Sequence, residues 1–201
     1  MYDIQQITKF TYLIQFENKS SDDFLKLIYS IQHLPFCNKI INDKTEIQIY
    51  SSSVISSLVN IKFNYENTLQ LIYCLYQQQK LLLEIGYSFF TFHLEDIIHV
   101  DNHFFCVNER NICKINKNNL VIKYPFDRTF ISPEMINITS LPTSISYSSF
   151  IYSFGLFIYY CFFGKQKDNR YEEYMNTILY TDLYWFFKKA FSKERILFLI
   201  N

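Results

Sequence analysis

Between Glu134 and Lys165 the chain carries no Asp, Glu, Lys or Arg, and residues 150–163 are nearly all apolar. Such a run has two homes, a bilayer or a protein interior that surrounds it on every side. A spanning helix needs about 20 apolar residues; this run is shorter and follows Pro142 and a Ser-rich patch. It reads as a buried core helix over 149–163, with a membrane-tethered helix over the same residues as the alternative. A buried helix demands a surrounding layer. With 201 residues, 49% of them hydrophobic, the chain can supply one for a single domain, or a domain and a small appendage.

The formal net charge is zero, so no long-range field draws the chain to nucleic acid or to anionic lipid, and neither is expected as a partner. Cys37, Cys74, Cys106, Cys113 and Cys161 are odd in number and form no Cys-x-x-Cys pair. That pattern predicts free thiols in a reducing, cytoplasmic compartment. Met1 to Gln6 is too polar for a signal peptide.

Around the central run the pattern alternates helices with hairpins. Ser21-Asp22-Asp23 caps a predicted helix that runs to about Leu34, with Phe24, Leu27, Ile28 and Ile31 on one face and Pro35 ending it. Residues 39–50 predict a hairpin turning at Asn42-Asp43-Lys44, followed by a Ser-rich connector. A second helix is expected over Asn64 to Ile85, buried through Leu69, Ile72, Leu75, Tyr76, Leu82 and Leu83, with Gly86 at its left-handed C-terminus. Ile97 to Val100 and Phe104 to Val107 form a second hairpin about Asp101-Asn102-His103. Residues 108–130 read as polar and irregular, and helices return at 149–163, about 170–179 and 181–191. The order is that of an α+β fold, divided at about residue 60 into a small helix-plus-hairpin unit (1–60) and a mostly helical unit (61–201).

His93, His99 and His103, interleaved with Glu95, Asp96 and Asp101, contain metal-ligand chemistry without a spacing that converges. Surface histidines of a hairpin are the reading, and no metal is expected there. The aromatic run Tyr184-Trp185-Phe186-Phe187 reads as core packing.

Several motifs fall in one order. Gly86 to Asp101 reads Gly-Tyr-Ser-Phe-Phe-Thr-Phe-His-Leu-Glu-Asp-Ile-Ile-His-Val-Asp; Asn108-Glu109-Arg110, Ser132-Pro133-Glu134, Tyr152-Ser153-Phe154-Gly155 and Arg195 follow. In this order and spacing they resemble the helical lobe of the protein kinase superfamily, over about residues 64–201. The composition, rich in Phe, Tyr, Ile, Asn and Lys, is also similar to that of divergent kinase-like proteins from large DNA viruses or AT-rich protists.

The resemblance implies a mostly helical lobe beside a reduced small lobe, and it implies a site with its chemistry altered. The position of the catalytic base falls on Thr91, and the two metal-ligand positions fall on Asp96 and Asn108. The aspartate that anchors the central helix to the catalytic loop is replaced by Phe150, on a helix that keeps Gly155. Glu134 and Arg195 correspond to a buried structural ion pair, and losing one partner of such a pair costs about 3–5 kcal/mol. No glycine precedes Gly86, so no Gly-rich phosphate loop is present. Lys9, Lys19 and Lys26 lie outside any Val-Ala-Ile-Lys-like strand. The expectation is a pseudokinase that binds or scaffolds an unidentified protein, with no catalytic residue and no cofactor. A weak Mg²⁺ or ATP site through Asp96 and Asn108 stays open, as does a residual ATP-dependent Ser/Thr kinase.

Overall fold

A computed structural model describes residues 2–16, 24, 36–41, 44–52 and 54–195, with side chains left undescribed at 36–45 and 60. Of the helix expected up to Leu34, Phe24 alone falls within the described residues, and it is helical. The chain begins with a four-stranded antiparallel sheet ordered β1-β2-β4-β3: β1 (Tyr2–Thr8), β2 (Thr11–Phe16), β3 (Phe36–Ile41) and β4 (Lys44–Tyr50). Tyr12, Ile14 and Phe16 alternate along β2 and face Ile47 and Ile49 of β4 in the core, where Phe24 meets Phe16 edge-on at 6.2 Å. The β3–β4 hairpin falls where the sequence predicts it. The β1–β2 hairpin is an addition: β1 is too polar, with Asp3, Gln5 and Gln6, to announce a strand by alternation.

Helix α1 (Tyr65–Glu84) starts at Asn64, whose side chain accepts the amide of Asn67 at 2.8 Å. It ends before Gly86, which takes the left-handed φ of 79° that a Cβ would oppose. Its buried face differs from the predicted one. Leu83 is exposed, whereas Gln78 and Gln79 are fully buried, because both glutamines bond to strands that pack on the helix. Gln78 exchanges two hydrogen bonds with the Cys106 backbone, at 2.8 and 3.3 Å. Gln79 accepts the Phe89 amide at 3.0 Å and donates to the hydroxyls of Ser88 and Tyr147.

Those strands belong to two small antiparallel sheets. One is β5 (Ser56–Ser57), β7 (Ile97–Val100) and β8 (His103–Cys106); the other runs β11-β10-β9-β6, with β6 (Tyr87–Phe89), β9 (Ile112–Asn116), β10 (Asn119–Ile122) and β11 (Thr143–Ser146). The β9–β10 hairpin corrects the reading of 108–130 as irregular. Its turn is Lys117-Asn118, both at positive φ, the same geometry as Asp101-Asn102 in the β7–β8 hairpin. Two successive left-handed residues make a type I′ turn, and Lys-Asn is a weaker announcement of one than Asn-Gly.

After a one-turn helix α2 (Pro133–Ile136) comes α3 (Ser148–Phe163), the apolar run, ended by Gly164 at φ 65°. Ten of its 16 residues are buried. No helix among the described residues is long and apolar enough to cross a membrane. Helices α4 (Tyr171–Asn176) and α5 (Asp182–Ala190) cover α3, and Phe186 and Phe187 of the aromatic run pack inward while Trp185 is half exposed.

α3 and α5 touch at Gly155. A Cβ there would sit 2.7 Å from Ala190 Cβ and 3.0 Å from the Phe191 ring. We expect Gly155→Ala to destabilise the fold by about 1–2 kcal/mol, overpacking of about 1–3 kcal/mol outweighing a gain of about 1 kcal/mol in helix propensity. Urea melting measures it, and Ala190→Gly in the same chain should recover part of the loss.

Candidate functional site

The connections between β6 and β9 carry Thr91, Asp96 and Asn108, and bring the last two together. Asp96 ends a 3₁₀ turn before β7 and is 2% exposed. Asn108 ends the chain segment after β8 and caps a second 3₁₀ turn, Glu109–Asn111, by accepting the Arg110 amide at 3.1 Å. The two segments are stitched by the Val107 amide donating to the Asp96 carbonyl at 2.9 Å. As a result Asn108 Nδ2 donates to Asp96 Oδ1 at 2.9 Å.

Two further side chains, neither singled out by the sequence, converge on the same carboxylate. Arg110 binds it through two nitrogens, Nε to Oδ2 at 3.1 Å and a terminal nitrogen to Oδ1 at 3.2 Å. Asn111, fully buried, donates to Oδ2 at 3.0 Å. Both oxygens of Asp96 are thus each held by two donors, and a guanidinium supplies the positive charge that a buried carboxylate needs. No cluster of three or more His, Cys, Asp or Glu placed to hold a metal occurs among the described residues. His99 and His103 lie against the rings of Phe104 and Phe105.

On the Asp96 side the cluster is buried, while Arg110 is half exposed. The Cys106 thiol is pushed up to about 12 by burial and then by the charge of Asp96, so it stays protonated. Tyr2 reaches from β1 of the N-terminal sheet and donates its hydroxyl to the Glu95 carbonyl. Burial, followed by the nearby charge of Asp96, raises its pKa far above the ordinary tyrosine value. Its ring lies tilted against Phe16 of β2 at 6.0 Å.

Thr91 is buried, with its hydroxyl lacking a hydrogen-bond partner among the described residues. A threonine hydroxyl is no proton acceptor at neutral pH. It borders a cleft of about 800 Å³ whose walls include His93, Glu95, Arg110, Asp127 and Phe130. Behind Thr91, Phe92 is fully buried, 5.1 Å from Phe157, 5.4 Å from Phe154 and 6.1 Å from Phe150. Phe150 in turn stacks on Phe154 and Tyr147. The joint between α3 and the loop is therefore an aromatic cluster.

No family model matches this chain, and no curated protein matches it.

The second sequence-predicted pair spans 61 residues of chain: Arg195 Nη1 lies 2.8 Å from Glu134 Oε1, and the guanidinium also stacks over Tyr152 at 4.7 Å. The pair is less buried than the resemblance implies, since the side chain of Glu134 is 44% exposed against 13% for Arg195. Partial burial opposes ionisation of Glu134, but hydrogen bonds from Arg195 and the backbone outweigh it and hold the carboxyl below its ordinary value. A depressed folded pKa means this contribution is present above the ordinary carboxylate range and lost as pH falls through the folded value. Solvent at Glu134 lowers the expected cost of Arg195→Ala from the buried-pair figure to about 1–2 kcal/mol. Denaturant melts at neutral pH and below pH 4 should show the variant's deficit shrinking in acid.

Proposed function

We propose that this chain is a catalytically impaired protein-kinase-like protein, a binding or scaffolding module for another protein that does not transfer phosphate. The observation that carries this reading is the occupation of Asp96. Phosphoryl transfer is almost wholly positioning and charge stabilisation by metal ions held between the two ligand positions. Here an internal guanidinium takes up both oxygens of the one carboxylate at those positions. Asn108 spends its own amide on the same carboxylate. Thr91 supplies no base, and Tyr2 of the N-terminal sheet bonds to the Glu95 carbonyl next to Asp96.

The kinase-like part of the reading is supported by the core helix α3 at the centre of the larger unit and by the Glu134–Arg195 contact beside it. A four-stranded sheet, with Phe24 helical between its second and third strands, is in keeping with a reduced small lobe. A residual kinase would need Asp96 to exchange Arg110 for a cation.

The test is transfer of labelled phosphate from ATP, in excess Mg²⁺, to the chain itself and to a general acceptor protein. The expected result is no incorporation above a protein-free control. Incorporation that disappears in Asp96→Ala would overturn the proposal.

A further inference from the structure

The cleft bordered by Thr91 encloses about 800 Å³, within the ordinary range for a small-molecule site. The charges on its walls do not cancel. Arg110 spends Nε and a terminal nitrogen on Asp96. That leaves the carboxylates of Glu95 and Asp127, and neither has an ion-pair partner among the described residues. Asp127 is fixed in place by the Thr129 amide, which donates to its Oδ1 at 2.6 Å. Hydrogen bonds from the Thr129 hydroxyl and amide hold its carboxyl below the ordinary value, with His93 and Arg110 acting in the same direction.

Two exposed acids are ordinary solvated surface on their own. Thr91 is different: it is 1% exposed, lines the same cleft, and its hydroxyl has no hydrogen-bond partner among the described residues. A buried hydroxyl left without a hydrogen bond costs free energy, and a group entering the cleft with N–H donors relieves that cost. The third feature is aromatic. Phe126, Phe130 and Tyr160 line the same space. Phe126 is held edge-on to Phe90 at 5.7 Å, and Phe130 lies 5.3 Å from Tyr160. Such rings receive an alkyl chain along their sides and a positive head over their faces. An anion entering here meets two carboxylates instead.

We propose that this cleft binds an alkylammonium group. Glu95 and Asp127 supply the counter-charge, the Thr91 hydroxyl accepts a hydrogen bond from one of its N–H groups, and the rings of Phe126, Phe130 and Tyr160 take the carbon chain that carries it. The same chemistry is offered by a free polyamine and by a lysine side chain of another protein.

Isothermal titration calorimetry of the full chain in dilute buffer tests it, with spermidine in one arm and a capped Gly-Lys-Gly peptide in the other. Saturable binding of at least one probe is expected. Tighter binding of spermidine identifies a free polyamine as the ligand, tighter binding of the peptide a protein-borne lysine, and equal affinities show that the ammonium group is the whole of the recognition. Glu95→Gln and Asp127→Asn should each weaken binding about fivefold, and Thr91→Val about threefold. Thr91→Val should nonetheless melt no lower than wild type, since it removes a buried hydroxyl that has no partner. Glu84→Gln, at an exposed acid of α1 outside the cleft, should change nothing. Absence of saturable heat with both probes at millimolar concentration overturns the proposal, as does binding that is indifferent to any of the three cleft variants or that Glu84→Gln weakens equally. None of these outcomes depends on whether the chain transfers phosphate, since no nucleotide is present.

Discussion

Phe150→Asp should abolish cooperative folding. The substitution puts a carboxylate where the proposed kinase-like reading would want a loop anchor, and the surroundings reject it. Phe150 is 1% exposed and lies between the rings of Phe92, Phe154 and Tyr147. Removing a buried phenylalanine costs about 3–5 kcal/mol, and a carboxylate without a partner adds its desolvation to that. Two amides of the loop are already taken, Phe89 by Gln79 and Phe90 by the Asn111 carbonyl. A domain of this kind has about 5–15 kcal/mol of total stability, so the sum consumes most of it. Circular dichroism melts should show no cooperative transition for Phe150→Asp, while Phe150→Leu, which keeps an apolar side chain, should still melt cooperatively. A Phe150→Asp chain melting close to wild type would mean that the loop can rearrange to receive a carboxylate.

The second large effect is expected at Asp96. Four side-chain hydrogen bonds end on its carboxylate, from Asn108, Arg110 twice, and Asn111. In Asp96→Ala the half-exposed Arg110 can turn back to water, which limits the cost of its stranded charge. Asn111 cannot, since it is fully buried. We expect a loss of about 2–4 kcal/mol, between that of a broken charged hydrogen bond and that of a fully buried ion pair. Denaturant unfolding measures it. A loss under about 0.5 kcal/mol, the range of ordinary surface substitutions, would show that the cluster does not organise this part of the chain.

Much of the scaffold was legible from local chemistry. The central helix followed from a charge-free apolar run, α1 from Asn64 and Gly86 at its ends, and α5 falls within the helix expected over 181–191. The hairpins over 39–50 and 97–107 followed from alternation around polar turns. What escaped has a shared cause, polar residues placed by tertiary contacts. Periodicity cannot mark Gln78 and Gln79 as buried, because their burial depends on backbone groups of β6 and β8. It marks β1 as polar because Asp3 and Gln5 through Thr8 are exposed. At the candidate site, Asp96 and Asn108 could be named from their places in the motif order. Arg110 and Asn111 could not, because they reach Asp96 only through the 3₁₀ turn that redirects the chain after β8.

The central claim is that Arg110, and not a metal ion with its nucleotide, balances Asp96. The most direct test is the melting temperature of the wild-type chain titrated with ATP in the presence of millimolar Mg²⁺. Binding to the folded state alone would raise the melting temperature in a saturable way. The account predicts no shift beyond that of Mg²⁺ or ATP added singly; a saturable, Mg²⁺-dependent rise would contradict it.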